Sequence, residues 1–162
     1  MNRRHGYVSL VVFFICTAAL CAGIREMLCE GRKRNQLVPI EVAGIELKIE
    51  LATTPEEHML GLMYRHTLGD NEGMLFCFPH EKHLSFWMKD THIPLSIAFI
   101  KADGRIMQIE SMKPYSLDTH VSREKVKYAL EMKDGWFQEH KVTVGDRVTL
   151  PPDGKNMTGK ER

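Results

Sequence analysis

From Ile45 to Leu51 apolar and charged residues alternate, with Ile45, Leu47, Ile49 and Leu51 set against Glu46, Lys48 and Glu50. A period of two marks a strand with one buried face. The shorter run VPIEV precedes it, and Ala43–Gly44 between the two predicts a hairpin. The rhythm then changes in TTPEEHMLGLMYR. Thr54 suits an N-cap, Pro55 the first helical position, and Glu57 follows Thr54 at capping-box spacing. Met59, Leu60, Met63 and Tyr64 recur at one-face helical spacing, so a short capped helix with that face buried is predicted.

Beyond a turn-rich LGDNEG, the apolar run MLFCF ends at Pro79. LSFWM and IPLSIAFI follow as apolar stretches, separated by the polar insertion Lys89, Asp90, Thr91 and His92. Asp103–Gly104 is a strong hairpin signal, so the strands on either side of it should pair. Pro114 to Glu124 reads as loop, and in KVKYALEM the residues Val126, Tyr128, Leu130 and Met132 alternate inward. WFQEH reads as a turn, and VTVGDRVTLP as a strand pair around Gly145–Asp146. Many short strands with one helix predict an α+β, mainly β, fold: a compact β-barrel-like domain with one capped helix. No strand–helix alternation is present, which excludes a doubly wound nucleotide fold.

The ends differ from this body. Arg3, Arg4 and His5 precede the uncharged apolar run Tyr7 to Ile24, the layout of a signal peptide or N-terminal membrane anchor over residues 1–36. Arg32, Lys33 and Arg34 follow that run, while Cys21 behind the bulky Leu20 is a poor lipidation site. The domain is expected over residues 37–152, exported across the membrane and anchored or cleaved, with a flexible polar tail over 153–162. Residues 37–162 carry 16 basic and 19 acidic side chains, about −3 with histidine neutral, which argues against nucleic acid as a partner. Only Cys77 lies in the domain, so no internal disulfide is expected and a buried apolar thiol is.

GLMYR, GMLFCF, FWMKDTHIPLSIAFI, DGRI, ALEMKDGW and VGDRV follow one another between about Leu51 and Leu150. In that order they resemble domain-of-unknown-function family 192, also called uncharacterised protein family 0127. The resemblance implies a small β-rich, barrel-like domain, often exported behind a signal or anchor, and implies no reaction. The family pattern commonly has Asn-Thr where this chain has Asp90–Thr91, and Leu-Asp where it has Leu95–Ser96. A fixed acid role at Ser96 is thereby weakened.

The candidate chemistry gathers around the polar insertion. Phe86, Trp87 and Met88 would floor a ligand pocket, with Lys89, Asp90, Thr91 and His92 as its polar rim and Trp136 as a further aromatic. The plainer reading has Asp90 and Thr91 bonding their own backbone to cap a turn. Arg65 and Glu131 are expected as an ion pair linking helix to sheet, or Arg65 as a bidentate holder of a ligand carboxylate or phosphate. Two alternatives stand beside a ligand- or partner-binding module: a soft Cu(I)-type metal site using His58, Met63, Met88 and His92, and a hydrolase-like enzyme using Asp90 and His92. No nucleophile motif, phosphate loop or metal-spacing motif is present, so no cofactor is expected, and the partner is an unknown small ligand or protein.

Overall fold

The computed structural model describes residues 35–150; residues 1–34 of the expected signal or anchor and the whole of the expected tail lie outside the described residues. Among the described residues nine strands and two short helices occur in the order β1 (Leu37–Val42), β2 (Ile45–Ala52), α1 (Pro55–Leu60), β3 (Gly73–Lys82), β4 (Ser85–Phe86), β5 (Leu95–Ile100), β6 (Ile106–Met112), β7 (His120–Val121), β8 (Val126–Lys133), α2 (Trp136–Glu139) and β9 (Val148–Thr149). Seven strands form one curled, half-barrel sheet in the order β6-β5-β8-β3-β2-β1-β9, and β4 pairs with β7 in a separate ribbon. The fold is mainly β, as the pattern predicts.

Both predicted hairpins form. Val42 pairs with Ile45 around Ala43–Gly44, where both residues have positive φ (50° and 88°), the twist a two-residue β-turn needs. Ile100 pairs with Ile106 around Asp103–Gly104. β2 and β3 are instead parallel, Glu50 beside Met74, and residues 53–72 make the crossover.

Four expectations need correction. The predicted helix lasts only from Pro55 to Leu60: the Thr54–Glu57 capping box forms, but Gly61 closes the helix at a φ of 44°. Met59 and Tyr64 therefore stand exposed rather than on a buried face. β3 runs through Pro79 to Lys82, accommodated by an irregular register between Cys77 and Lys82. VTVGDRVTLP makes no strand pair of its own; its short β9 crosses to β1, with Val42 opposite Val148. Trp136 to Glu139 form a short helix rather than a turn.

The large sheet is covered on both faces. One face carries Ile40, Ile49, Leu75, Ile100 and Leu130 beneath Trp136, Phe137 and Val142. The other carries Met74, Phe76, Ile97, Phe99 and Ala129 beneath Leu62, Leu84 and Met88, which come from loops. Cys77 is buried, and burial pushes its thiol up to about 12, so it is inert as a nucleophile. No helix among the described residues is long and apolar enough to cross a membrane.

Candidate functional site

The loops over the second face are built around three turns that tie to one another. The first follows α1, where the backbone N–H of Arg65 reaches the carbonyl of Leu62. The second is Met88–Thr91, closed by the Thr91 N–H on the Met88 carbonyl at 3.2 Å. The third is Lys113–Ser116. Each holds one non-glycine residue in the left-handed region: Tyr64 (φ 61°), Asp90 (φ 52°) and Tyr115 (φ 60°). Aspartate tolerates that region; tyrosine does so only when its surroundings over-determine it.

Those surroundings are visible. The Tyr64 N–H donates to the Asp90 carbonyl at 2.8 Å, and the Tyr64 hydroxyl to the Asp90 carboxylate at 3.1 Å. The Asp90 hydrogen bond and charge raise the Tyr64 phenol above its usual range. The Tyr115 N–H donates to the Thr91 carbonyl, and the Tyr115 hydroxyl meets His92 Nδ1 at 2.6 Å. The Met88 N–H reaches the Ser116 carbonyl at 3.0 Å. His66 and His92 lie with ring centroids 4.9 Å apart. The result is one surface on which Tyr64 (58%), Trp87 (46%), Tyr115 (59%) and Leu117 (68%) all remain exposed. Lys89 lies over the Trp87 ring at 5.6 Å.

Beneath the loops, a polar row crosses the sheet. Glu50 (β2), Met74 (β3), Glu131 (β8), Ile97 (β5) and Glu110 (β6) are register neighbours and share the face that Leu62 and Met88 cover. Arg65 Nη2 donates to Glu50 Oε2 at 2.7 Å, a pair whose side chains are only 12% and 5% exposed, while Arg65 Nε is buried without a partner. At the far end His120 Nδ1 meets Glu110 Oε2 at 2.8 Å and Gln108 Nε2 donates to Glu110 Oε1 at 2.7 Å. Burial raises the Glu110 carboxyl, but these bonds outweigh it and hold the group below its usual range. Glu131, between them, is buried, and burial pushes its carboxyl up to about 8.

Several sequence expectations change here. Arg65 pairs with Glu50, not with Glu131. Thr91 is buried, its hydroxyl on the Lys89 carbonyl, so it caps the turn and is not part of a rim. Phe86 and Met88 pack into the core, but Trp87 points outward and is no floor. Asp90 and His92 are held by different tyrosines rather than by each other. Trp136 belongs to the opposite face, its indole N–H on Asn71 at 3.3 Å. Ser96 is scaffold: its hydroxyl donates to Asp134 at 2.7 Å and accepts the Gly135 N–H. Among the soft-metal candidates, His58 Nε2 lies 3.1 Å from the Ala52 carbonyl and its ring stacks on Phe78, whereas Met88 is sealed in the core. No three His, Cys, Asp or Glu side chains among the described residues are grouped to hold a metal ion.

Tyr64 as a site residue, Tyr115, Leu117, Glu50 and the Glu110–His120 pair were not singled out from the sequence. Tyr64 fits a helical spacing that the chain abandons at Gly61. Tyr115 stands in a stretch legible only as loop. Glu50 reads as a solvated strand position because alternation implies one wet face, and here both faces are covered.

The sequence matches the family model described as an uncharacterized ACR, domain-of-unknown-function family 192, over residues 38–150. The chain belongs to this family. A solved structure from Sinorhizobium meliloti 1021, described as a candidate transcription regulator, is similar at 35% identity with a TM-score of 0.71, over 74% of this chain and 98% of that one. A protein of unknown function from Novosphingobium aromaticivorans DSM 12444 is similar at 35% identity with a TM-score of 0.69, over 72% and 86%. No curated protein matches. Family 192 thus supplies the fold, and the site is read from its own geometry.

Proposed function

We propose that this family 192 domain is a binding module, exported or membrane-anchored by its N-terminal segment, whose recognition surface is the three-loop cluster carrying Tyr64, Trp87, Asp90, His92 and Tyr115. One observation carries the reading: three left-handed non-glycine residues, each strained by on the order of 1 kcal/mol, are cross-tied so that aromatic rings face solvent. Tyrosine and tryptophan presented rigidly bring large contact area at little cost in side-chain freedom, the property of anchor residues in binding sites. Asp90, His92 and His66 add polar groups beside them. A nucleic-acid role of the kind the Sinorhizobium meliloti relative's description suggests would call for a basic face, and acidic residues outnumber basic ones in the domain.

The soft-metal and hydrolase readings rest on less. His92 nitrogen and Asp90 carboxylate are each engaged by a tyrosine hydroxyl, and neither is aimed at a nucleophile within the described contacts. Nitrogen-15 NMR on the full chain in detergent micelles, titrated with a fragment library of aromatic and polar metabolites, tests the binding reading. Shifts confined to residues 62–66, 86–93 and 113–117 and removed by Tyr64→Ala with Tyr115→Ala are expected. Saturable shifts that fall elsewhere on the sheet would contradict it.

A further inference from the structure

The domain begins at the end of the molecule that carries the three loops. The Asn35 N–H donates to Glu50 Oε2 at 3.1 Å, and Arg65 Nη2 donates to the same oxygen at 2.7 Å. Arg65 adjoins Tyr64, whose N–H is on the Asp90 carbonyl. The preceding polypeptide therefore meets the domain beside the first loop. Ten residues, 25–34, separate that point from the apolar run Tyr7 to Ile24, and they can span at most about 35 Å. A domain of this length has a radius of gyration of about 13 Å and is itself roughly 35 Å across. With Tyr7 to Ile24 in a bilayer, the loop end can rest on the membrane, whereas presenting the opposite end would consume the whole of that span. The side chains at the loop end suit such a neighbour. Tyr64, Trp87, Tyr115 and Leu117 are exposed on loops tied to one another, and Met59 and Leu60 of α1, which runs into the first loop, are exposed as well. Apolar groups exposed together mark a contact with a partner or a membrane. Lys89 Nζ lies 5.6 Å from the centre of the Trp87 ring, and Lys113 is exposed on the third turn. Tryptophan and tyrosine, flanked by lysines with apolar stems and wet heads, are the residues that concentrate at the headgroup level of a bilayer. The nearby acids are engaged internally, Asp90 by the Tyr64 hydroxyl and Asp118 by the Ser116 hydroxyl. Arg32, Lys33 and Arg34 come immediately before Asn35 and bring charge that anionic headgroups attract.

We infer that the three-loop cluster docks on the headgroup region of the membrane that holds the N-terminal segment, with Tyr64, Trp87, Tyr115 and Leu117 entering the interface. The inference rests on the reading of that cluster as the recognition surface and names its partner as a lipid bilayer. The ring bodies and Leu117 leave water for the upper acyl region, while the Lys89 and Lys113 ammonium groups meet headgroup phosphates. Because the turns already hold the rings outward, little side-chain freedom is lost on contact. The covalent connection acts in the same direction. A surface joined to the bilayer by ten residues meets it at high effective concentration, so contacts too weak to recruit a free domain suffice.

The test uses the full chain reconstituted in nanodiscs of phosphatidylcholine and phosphatidylglycerol, with or without lipids brominated near the top of the acyl chains. Trp136 is the other tryptophan and is buried; the Trp87→Phe variant supplies its emission for subtraction. Brominated discs should quench most of the Trp87 emission, and acrylamide in the water should reach it poorly. Tyr64→Ala with Tyr115→Ala and Leu117→Ser should lose most of the lipid quenching while keeping a cooperative urea transition. Should that variant fail to fold, Lys89→Glu with Lys113→Glu decides, and it should lower the lipid quenching and open Trp87 to acrylamide. A chain recovered free of the discs overturns the inference. So does a Trp87 that stays bright beside brominated lipid, or quenching that is unchanged in a folded variant. If Trp87 escapes the bromines while soluble aromatic fragments still shift residues 62–66, 86–93 and 113–117, the recognition surface stands and its membrane partner falls. If neither lipid nor fragment reaches the loops, the reading of the surface falls as well.

Discussion

Glu131 has the sharpest consequence of any one side chain. Its carboxyl is raised from an ordinary 4.5 to about 8 by burial alone. The folded state therefore holds a proton that the unfolded state releases across that interval. Stability from this group is full below about pH 4.5 and is lost as pH rises toward 8, by roughly 1 kcal/mol per pH unit. Glu131→Gln should remove that slope, so its urea midpoint should exceed the wild-type midpoint increasingly between pH 5 and 8. Equal slopes in the two proteins would mean that Glu131 ionises normally. Arg65 makes the opposite case. Arg65→Ala leaves the Glu50 carboxylate buried without its cation and should cost about 3–5 kcal/mol, read as a lower midpoint in urea unfolding. The sequence marks both residues as noteworthy but pairs them wrongly. Charge type alone cannot choose between two glutamates on different strands when register decides which is in reach.

Elements with strong local signals were legible. The two hairpins follow from Ala43–Gly44 and Asp103–Gly104, and the capping box at Thr54 and Glu57 forms as spaced, with Glu57 Oε2 accepting the Thr54 N–H at 2.9 Å. What failed were elements whose fate is set at a distance. β9 is drawn to the edge of β1, and the helical spacing of Met63 and Tyr64 yields to a turn tied to Asp90. The turn at Asp90 is the element on which the functional reading depends. Asp90→Gly would relax the left-handed residue while removing the carboxylate from the Tyr64 hydroxyl. Stability should change by no more than about 1 kcal/mol in either direction. Ligand-induced shifts at Tyr64 and Trp87 should shrink nonetheless. A variant that binds as wild type would show that the turn is scaffold.

For the molecule as a whole, the mainly β class was readable, but the covering of both sheet faces was not. Alternation along Ile45–Leu51 suggests a wet side, yet Glu50 is buried there, paired with Arg65 of the β2–β3 crossover. An open groove of about 470 Å³ at the other edge is lined by Pro39, Glu41, Lys48 and Thr149 among others. Pro39 offers no N–H there to an added strand, which protects that edge from pairing with another chain. The loop end bears the exposed aromatics and the groove does not. Trp87 allows that assignment to be tested directly, because the chain has two tryptophans and the other, Trp136, is buried. The full chain, exposed to fractionated metabolite and peptide extracts, is read by tryptophan emission and acrylamide quenching. A fraction that shifts Trp87 emission to the blue and shields it from quencher, with both effects lost in Tyr64→Ala with Tyr115→Ala, is the result predicted. Binding that leaves Trp87 as quenchable as in the free protein, or that survives loss of both tyrosines, would contradict the loop cluster as the recognition surface.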